Sequence, residues 1–169
     1  MAIVSDTNIL SSFAAADALH LLPKLFQGDT IYIPPAVEQE LHKGLDYGQK
    51  HIELIFLQVG DIQVLHLTDA ERSLIASLPA KLHAGEREGI VLCQKRAHLF
   101  LSNDRRAIRY CQAYDIDALS LEILLRFLWT REIVSLSEVR TLIETMAAVE
   151  NLTLSQRQRA IIFAPHSNY

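Results

Sequence analysis

Two aspartates occupy equivalent places in the sequence, each directly after a short run of strand-forming residues. Asp6 follows residues 3–5, and Asp104 follows residues 99–103. In open α/β proteins, ligands bind beyond the carboxyl ends of the strands, so a residue placed there faces the binding crevice. We therefore expect the two carboxylates to lie close together in the folded protein.

Two pairs of glutamates lie between these aspartates, each in the first turns of a predicted helix: Glu38 with Glu40, and Glu86 with Glu88. Residues two positions apart are separated by about 200° around a helix, so one member of each pair is expected to face the aspartates. Helical periodicity does not choose between the members. Acidic residues also stabilise helix N-termini without any catalytic role, so the functional prediction depends on the whole set and its order.

A set of carboxylates is suited to hard divalent cations such as Mg²⁺, which prefer oxygen ligands. Two such ions about 3.5–4 Å apart can hold both the attacking and the leaving oxygen of a phosphodiester. The formal net charge of −4 argues against a generic basic nucleic-acid-binding protein. It is compatible with metal-assisted chemistry, because the cations supply the positive field where the phosphate binds.

The composition predicts a folded protein with a buried core. The chain has 169 residues, of which 50% are hydrophobic and 21% charged, which favours one domain over disorder. Two cysteines, Cys93 and Cys111, are too few for a disulfide scaffold of this size. No leader precedes the first strand, and no apolar run reaches the ~18–20 residues of a membrane span. We therefore expect a cytoplasmic protein with no membrane partner.

Short apolar runs alternate with longer helical segments along the chain, which predicts an α/β fold. We expect a three-layer sandwich in which a parallel sheet of four to five short strands is flanked by helices. Helix N-caps are expected at Asp17, Thr68, Ser120 and Ser137, and Gly44 is expected to end a helix.

Four motifs, taken in order, resemble those of the PIN-domain ribonucleases, most closely the small prokaryotic branch that includes toxins of toxin–antitoxin pairs. The motifs are Asp6-Thr7-Asn8, Ile33-Pro34-Pro35-Ala36-Val37-Glu38-Gln39-Glu40-Leu41, Gly85-Glu86-Arg87-Glu88-Gly89-Ile90 and Leu101-Ser102-Asn103-Asp104-Arg105. The similarity covers roughly residues 3–129, and the second and fourth motifs are the most distinctive. The resemblance implies a parallel sheet between layers of helices and metal-dependent cleavage of RNA, usually single-stranded.

The resemblance also implies site residues by position. The four catalytic acids would be Asp6, Glu40, Glu88 and Asp104. The ligands of Mg²⁺ or Mn²⁺ would be Asp6, Glu88 and Asp104, with Glu88 standing where Asp is commoner. Glu40 would orient the attacking water. Hydrogen bonds that keep the carboxylates aimed are expected from Thr7, Asn8 and Ser102. Contacts to RNA phosphates are expected from Arg105, Arg106 and Arg109.

Residues 1–130 are expected to form the PIN-like nuclease domain, and residues 131–169 a C-terminal helical extension of the same domain. The extension could complete the core, form a homodimer or receive a partner helix, and the sequence does not choose among these. The apolar face of the helix predicted over residues 121–129 could likewise belong to the core or to a dimer interface.

Other functions remain to be weighed against a nuclease. Aspartyl-phosphate phosphatases also carry an aspartate after the first strand, but they need a second aspartate where this chain has Asn8. The main alternative is a PIN-like interaction module without catalysis, bound or regulated by a partner protein. For a nuclease of the toxin type, the expected partners are an RNA substrate and an antitoxin protein.

Overall fold

The fold is described from a computed structural model for residues 2–58 and 60–164. Within these residues, five short strands form one parallel sheet with the order β3-β2-β1-β4-β5. In chain order they are β1 (Ile3–Ser5), β2 (Ile31–Ile33), β3 (Ile62–Val64), β4 (Leu99–Leu101) and β5 (Ala118–Leu119). The strand order reverses at β1, which pairs with β2 on one side and β4 on the other. A ligand crevice is expected at the carboxyl end of such a strand.

Helices connect the strands and cover the sheet. They are α1 (Thr7–Ala15), α2 (Leu21–Leu25), α3 (Pro35–Asp46), α4 (Glu53–Leu57, after a 3₁₀ turn at Lys50–Ile52), α5 (Asp69–Ile75), α6 (Ala84–Arg96), α7 (Arg105–Ala113), α8 (Leu121–Thr130), α9 (Leu136–Glu150) and α10 (Gln156–Ile162). Within the described residues, none of these helices is long and apolar enough to cross a membrane.

In the part of the chain that the structure describes, two hydrophobic clusters cover opposite faces of the sheet. Ile3 and Leu101 belong to the first cluster, whereas their strand neighbours Val4 and Phe100 belong to the second. Successive side chains of a strand point to opposite faces, so this division places helices on both sides. Helices α1 and α8 pack on the first face, and α6 and α7 pack on the second. The predicted three-layer α/β sandwich is confirmed.

The chain after α8 adds to the first cluster. Val139 and Met146 of α9 and Ile162 of α10 are buried there, and the Trp129 indole N–H donates to the Ile162 carbonyl at 2.8 Å. The leucines on the apolar face of α8, including Leu124, are also buried in this cluster. These residues therefore contribute to the core of the domain. Residues 165–169, included in the predicted extension, lie outside the described residues.

Three predicted helix boundaries are wrong. Gly44 lies inside α3, where a Cβ would overlap the Ile52 side chain, so this glycine serves close packing instead of ending the helix. Asp17 has a positive φ of 52° and does not cap α2, which begins at Leu21. The N-cap of α9 is Ser135, two residues before the predicted Ser137.

The predicted cap of α5 is confirmed and extends into a partly buried ion pair. The Glu71 N–H donates to Thr68 Oγ1 at 3.3 Å, and the Thr68 N–H donates to Glu71 Oε2 at 2.8 Å. Arg96 of α6 donates to the same carboxylate, with Nε 2.7 Å from Oε1 and Nη2 2.6 Å from Oε2. These Arg96 hydrogen bonds lower the pKa of Glu71 to about 2, against the opposing effect of burial.

We expect Glu71→Ala to destabilise the fold by about 3 kcal/mol, because Arg96 loses its partner and α5 its cap. A lowered pKa means that the stabilisation is complete above the ordinary glutamate pKa and is lost as pH falls towards 2. In urea unfolding, the stability difference from the wild type should therefore narrow from pH 7 to pH 3. A difference that stays constant would contradict this. Asp69→Ala, which removes the exposed partner of Arg72, is the control and should change little.

Candidate active site

Asp6 is a buried carboxylate at the carboxyl end of β1, with 3% of its surface exposed. It is the N-cap of α1, because its Oδ1 accepts a hydrogen bond from the Ile9 N–H at 2.9 Å. Its Oδ2 accepts from the Ser102 hydroxyl at 2.7 Å and from the Asn103 N–H at 3.2 Å. The Asp6 N–H donates to the Leu101 carbonyl at 2.9 Å. These contacts from α1 and the end of β4 fix the carboxylate in one orientation.

A cleft of about 250 Å³ opens above Asp6, bordered by α1, α3 and the start of α6. Its polar lining residues are Asp6, Thr7, Asn8, Glu40, His83 and Glu86. Thr7 and Asn8 follow Asp6 in the chain, whereas the other members come from separate helices. Three acids, Asp6, Glu40 and Glu86, thus share one cleft at the expected edge of the sheet.

Glu40 reaches the cleft because α3 and α6 approach each other closely. A Cβ at Gly85 would lie 2.7 Å from Val37 Cγ2 and 3.4 Å from Glu40 Oε2, so any larger residue at position 85 would push α3 away. The Thr7 hydroxyl donates to Glu40 Oε2 at 2.5 Å. Glycine at position 85 therefore sets the distance between the Glu40 carboxylate and α6, a role that the sequence alone did not indicate.

The structure differs from the sequence-based expectation at the third acid. Glu86 is 4% exposed and lines the cleft, where its Oε2 accepts a hydrogen bond from the His83 N–H at 2.9 Å. Burial raises the pKa of Glu86, and the negative charge of Asp104 raises it further. Glu88 is turned away from this lining, because its Oε2 accepts from the Ala36 N–H at 2.9 Å at the start of α3.

Both glutamate pairs divide between the cleft and another part of the surface, as the 200° separation around a helix requires. Glu40 lines the cleft, whereas Glu38 lines a separate depression with Ile33 and Phe56. Glu86 lines the cleft, and its partner in the sequence contacts the start of α3. Periodicity could not say which glutamate of each pair faces the cleft, because that depends on how each helix is rotated about its axis. The packing of the helices sets this rotation.

Asp104 caps α7 and does not line the cleft, although its negative charge acts on Glu86. Its Oδ1 accepts from the N–H groups of Arg106 and Ala107 at 2.6 and 3.2 Å, and Arg106 Nη2 lies 3.2 Å from its Oδ2. Burial acts to raise the pKa of Asp104, but the Arg106 contacts outweigh it and lower the pKa. Ser102 links the two aspartates, since its hydroxyl donates to Asp6 and accepts from the Asp104 N–H at 3.1 Å.

Negative charge accumulates at this site. Burial and, to a smaller extent, the negative charge of Glu86 raise the pKa of Asp6 to about 6, against its hydrogen bonds to Ile9, Ser102 and Asn103. A buried group of carboxylates of this kind is stabilised by a cation, and its all-oxygen donors suit Mg²⁺ or Mn²⁺.

The acids are not arranged as a ready coordination sphere. Across residues 2–58 and 60–164, no three histidine, cysteine or acidic side chains already surround one point as metal ligands. Glu40 is hydrogen-bonded to Thr7, and Asp104 is paired with Arg106. The types and positions of the donors fit a divalent cation, which would compete with these two contacts.

Sequence reasoning overlooked His83, which is exposed and lines the cleft. The seven histidines show no pair at metal-ligand spacing, so none was singled out. The available signal was the position of His83, three residues before Glu86 at the start of α6. A residue one helical turn from a candidate acid shares the surroundings of that acid.

The fold and the cleft together define an α/β domain with a carboxylate site at the switch point of a parallel sheet. The sequence model of the PIN domain matches residues 2–163, and the chain therefore belongs to the PIN-domain family. This confirms the resemblance to PIN domains, and the match extends beyond the four motifs to include α9 and α10. PIN domains are generally nucleases, and PIN nucleases typically use divalent metals. No protein of curated function matches the chain.

Proposed function

We propose that the protein is a Mg²⁺- or Mn²⁺-dependent endoribonuclease that cleaves single-stranded RNA and serves as the toxin of a toxin–antitoxin pair. The observation that carries the proposal is the buried, hydrogen-bonded carboxylate of Asp6, which shares a cleft with Glu40 and Glu86. A purely structural N-cap does not require two further acids beside it. Their mutual repulsion costs stability unless a cation is bound.

The chain's own residues have distinct parts in this proposal. Asp6, Glu86 and Asp104 would hold the cation, and Ser102 keeps the two aspartates aligned. A bound divalent cation supplies Lewis-acid activation of water and neutralises charge on the phosphate. Glu40, oriented by Thr7, would accept the proton of the attacking water.

Glu86 takes the position that the family resemblance gave to Glu88. Glu86 is buried in the same cleft as Asp6, where burial raises the pKa of Asp6 and the negative charge of Glu86 adds a smaller increase. The carboxylate of Glu88 already satisfies the Ala36 N–H, so recruiting it would leave the first turn of α3 without that acceptor. We therefore propose Glu86 as the third acid.

The three arginines after Asp104 have different parts. Arg105 and Arg109 are exposed on α7 and lie one turn apart on the same helix face, where they would contact RNA phosphates. Arg106 is held by Asp104, and we propose that it positions this carboxylate. Asn8 lines the cleft and remains a candidate to support the acids.

The direct test is cleavage of an end-labelled single-stranded RNA in Mg²⁺, Mn²⁺ or EDTA, with duplex RNA and DNA of the same sequence for comparison. We expect products from the single-stranded RNA only when a divalent metal is present. Cleavage that persists in EDTA would contradict the proposed chemistry. Metal binding without cleavage of any substrate would favour the non-catalytic interaction module.

Expression of the wild type, but not of Asp6→Asn, should arrest growth if the protein is a toxin.

A further inference from the structure

A second cleft, lined by arginines, lies beside the acidic site. It has a volume of about 490 Å³ and is bordered by α7, α8 and α10. It reaches Asn103, whose backbone N–H donates to Asp6. We propose that this arginine cleft binds the phosphate backbone of single-stranded RNA next to the bond that is cut. The inference rests on the proposed function and gives α10 a part in substrate binding.

Positive charge in the arginine cleft comes from two helices that are far apart in the sequence. Arg105 and Arg109 belong to α7, and Arg157 belongs to α10. All three are exposed, and none forms an ion pair with another residue that the structure describes. Glu122 also lines the cleft, and its Oε2 is 3.5 Å from Gln158 Nε2. The arginines therefore give this cleft an excess of positive charge on a protein whose net charge is negative.

The lining of the cleft favours an RNA strand over a single phosphate ion. Its lining includes the apolar side chains of Ile108, Ile123 and Ile161 beside the arginines, which suits sugars and bases lying between phosphates. Arg105 and Arg109 have Cβ atoms about 5–6 Å apart, so they can follow successive charges along a backbone. Grooves for single-stranded nucleic acids combine positive charge along the backbone with apolar contact to the bases.

Asn103 connects this cleft with the rest of the site. It also lines a larger polar groove of about 920 Å³, which contains Thr7 and Asn8 from the acidic cleft. An RNA strand that leaves the arginine cleft along this groove would therefore pass Thr7 and Asn8, which border the acidic cleft. This continuity favours RNA over a ligand that binds the arginines alone.

Binding of a labelled 12-nucleotide single-stranded RNA in EDTA, followed by fluorescence anisotropy, tests the proposal without cleavage. Arg157→Gln should weaken binding about tenfold and reduce the slope of log K against log salt by about 0.7, the value for one phosphate contact. Arg157→Lys should retain most of the affinity, since it keeps the charge. Arg159→Gln is the matched control, because Arg159 lies on the same helix but lines a different depression with Phe163.

Equal affinities for the wild type and Arg157→Gln, or equal losses in the 157 and 159 variants, would overturn the proposal. So would competition by poly-glutamate at the concentration at which unlabelled RNA competes, since the cleft would then be a site for acidic protein. The binding assay is independent of cleavage. Loss of RNA affinity in Arg157→Gln would support the arginine cleft even if the nuclease assignment failed. If the wild type cleaves RNA in a metal-dependent way but Arg157→Gln binds RNA as tightly as the wild type, the arginine cleft is rejected and the nuclease assignment stands.

Discussion

Asp6→Asn should abolish metal-dependent RNA cleavage and, in the absence of metal, make the protein more stable at neutral pH. Residues that only orient a metal ligand typically contribute 10–100-fold, so we expect removal of this ligand charge to cost at least about a hundred-fold in kcat/KM. The protein gains stability because asparagine removes a buried charge that no cation compensates in the metal-free protein.

The direction of the stability change follows from the pKa of Asp6. The pKa of Asp6 in the folded protein, about 6, lies above the ordinary 3.8. The contribution of Asp6 to folding stability is therefore most favourable at acidic pH and is lost as pH rises through about 6. At pH 7 the buried charge costs about 3 kcal/mol. Asparagine removes the charge but cannot accept all the hydrogen bonds from Ile9, Ser102 and Asn103, so we expect a net gain of about 1–2 kcal/mol.

Urea unfolding in EDTA at pH 5 and pH 7 measures this difference, which should be larger at pH 7. Asp61→Asn, at an exposed aspartate outside the cleft, is the matched control and should change neither stability nor cleavage. If Asp6→Asn is less stable than the wild type at pH 7, or still cuts RNA, the prediction is contradicted.

Glu86→Gln and Glu88→Gln should separate catalysis from structure on one helix. We expect Glu86→Gln to lower kcat/KM by about a hundred-fold or more, because it removes a carboxylate from the cleft. Glu88→Gln should leave cleavage nearly unchanged but destabilise the fold by about 1 kcal/mol, because the charge-assisted contact to the Ala36 N–H weakens.

Cleavage kinetics and urea unfolding of the two variants, measured side by side, decide between the glutamates. The reverse pattern, with Glu88→Gln inactive and Glu86→Gln active, would show that position in the family motif outweighs the helix rotation seen in the structure. Equal activity in both variants would remove this helix from the metal site.

The sequence predicted the fold because strand and helix patterns alternate clearly, with Asp6 directly after β1 and Asp104 shortly after β4. The choice between Glu86 and Glu88 could not be predicted, since both stand in the first turns of α6. It depends on how Gly85 lets α3 approach, which is a contact between distant segments. The cap of α9 was within reach of sequence reasoning, because Ser135 and Glu138 have the spacing of a capping box.

The arginine cleft illustrates a second limit of sequence reasoning. Arg105 and Arg109 are close in sequence and were singled out together, whereas Arg157 is brought to them only by the packing of α10 on α8. The burial of Ile162 against the core fixes α10 there. No local pattern around Arg157 indicates its neighbours, so only the tertiary structure shows that the C-terminal helix borders the site.

Calorimetric titration of Mn²⁺ into the metal-free wild type and Asp6→Asn tests the metal site most directly. We expect saturable binding to the wild type, with a stabilisation of about 2.7 kcal/mol when free Mn²⁺ reaches a hundred times Kd. The Asp6→Asn protein should show neither the heat of binding nor the stabilisation. Binding that is absent in both proteins, or equal in both, would contradict the assignment of the acidic cleft as a metal site.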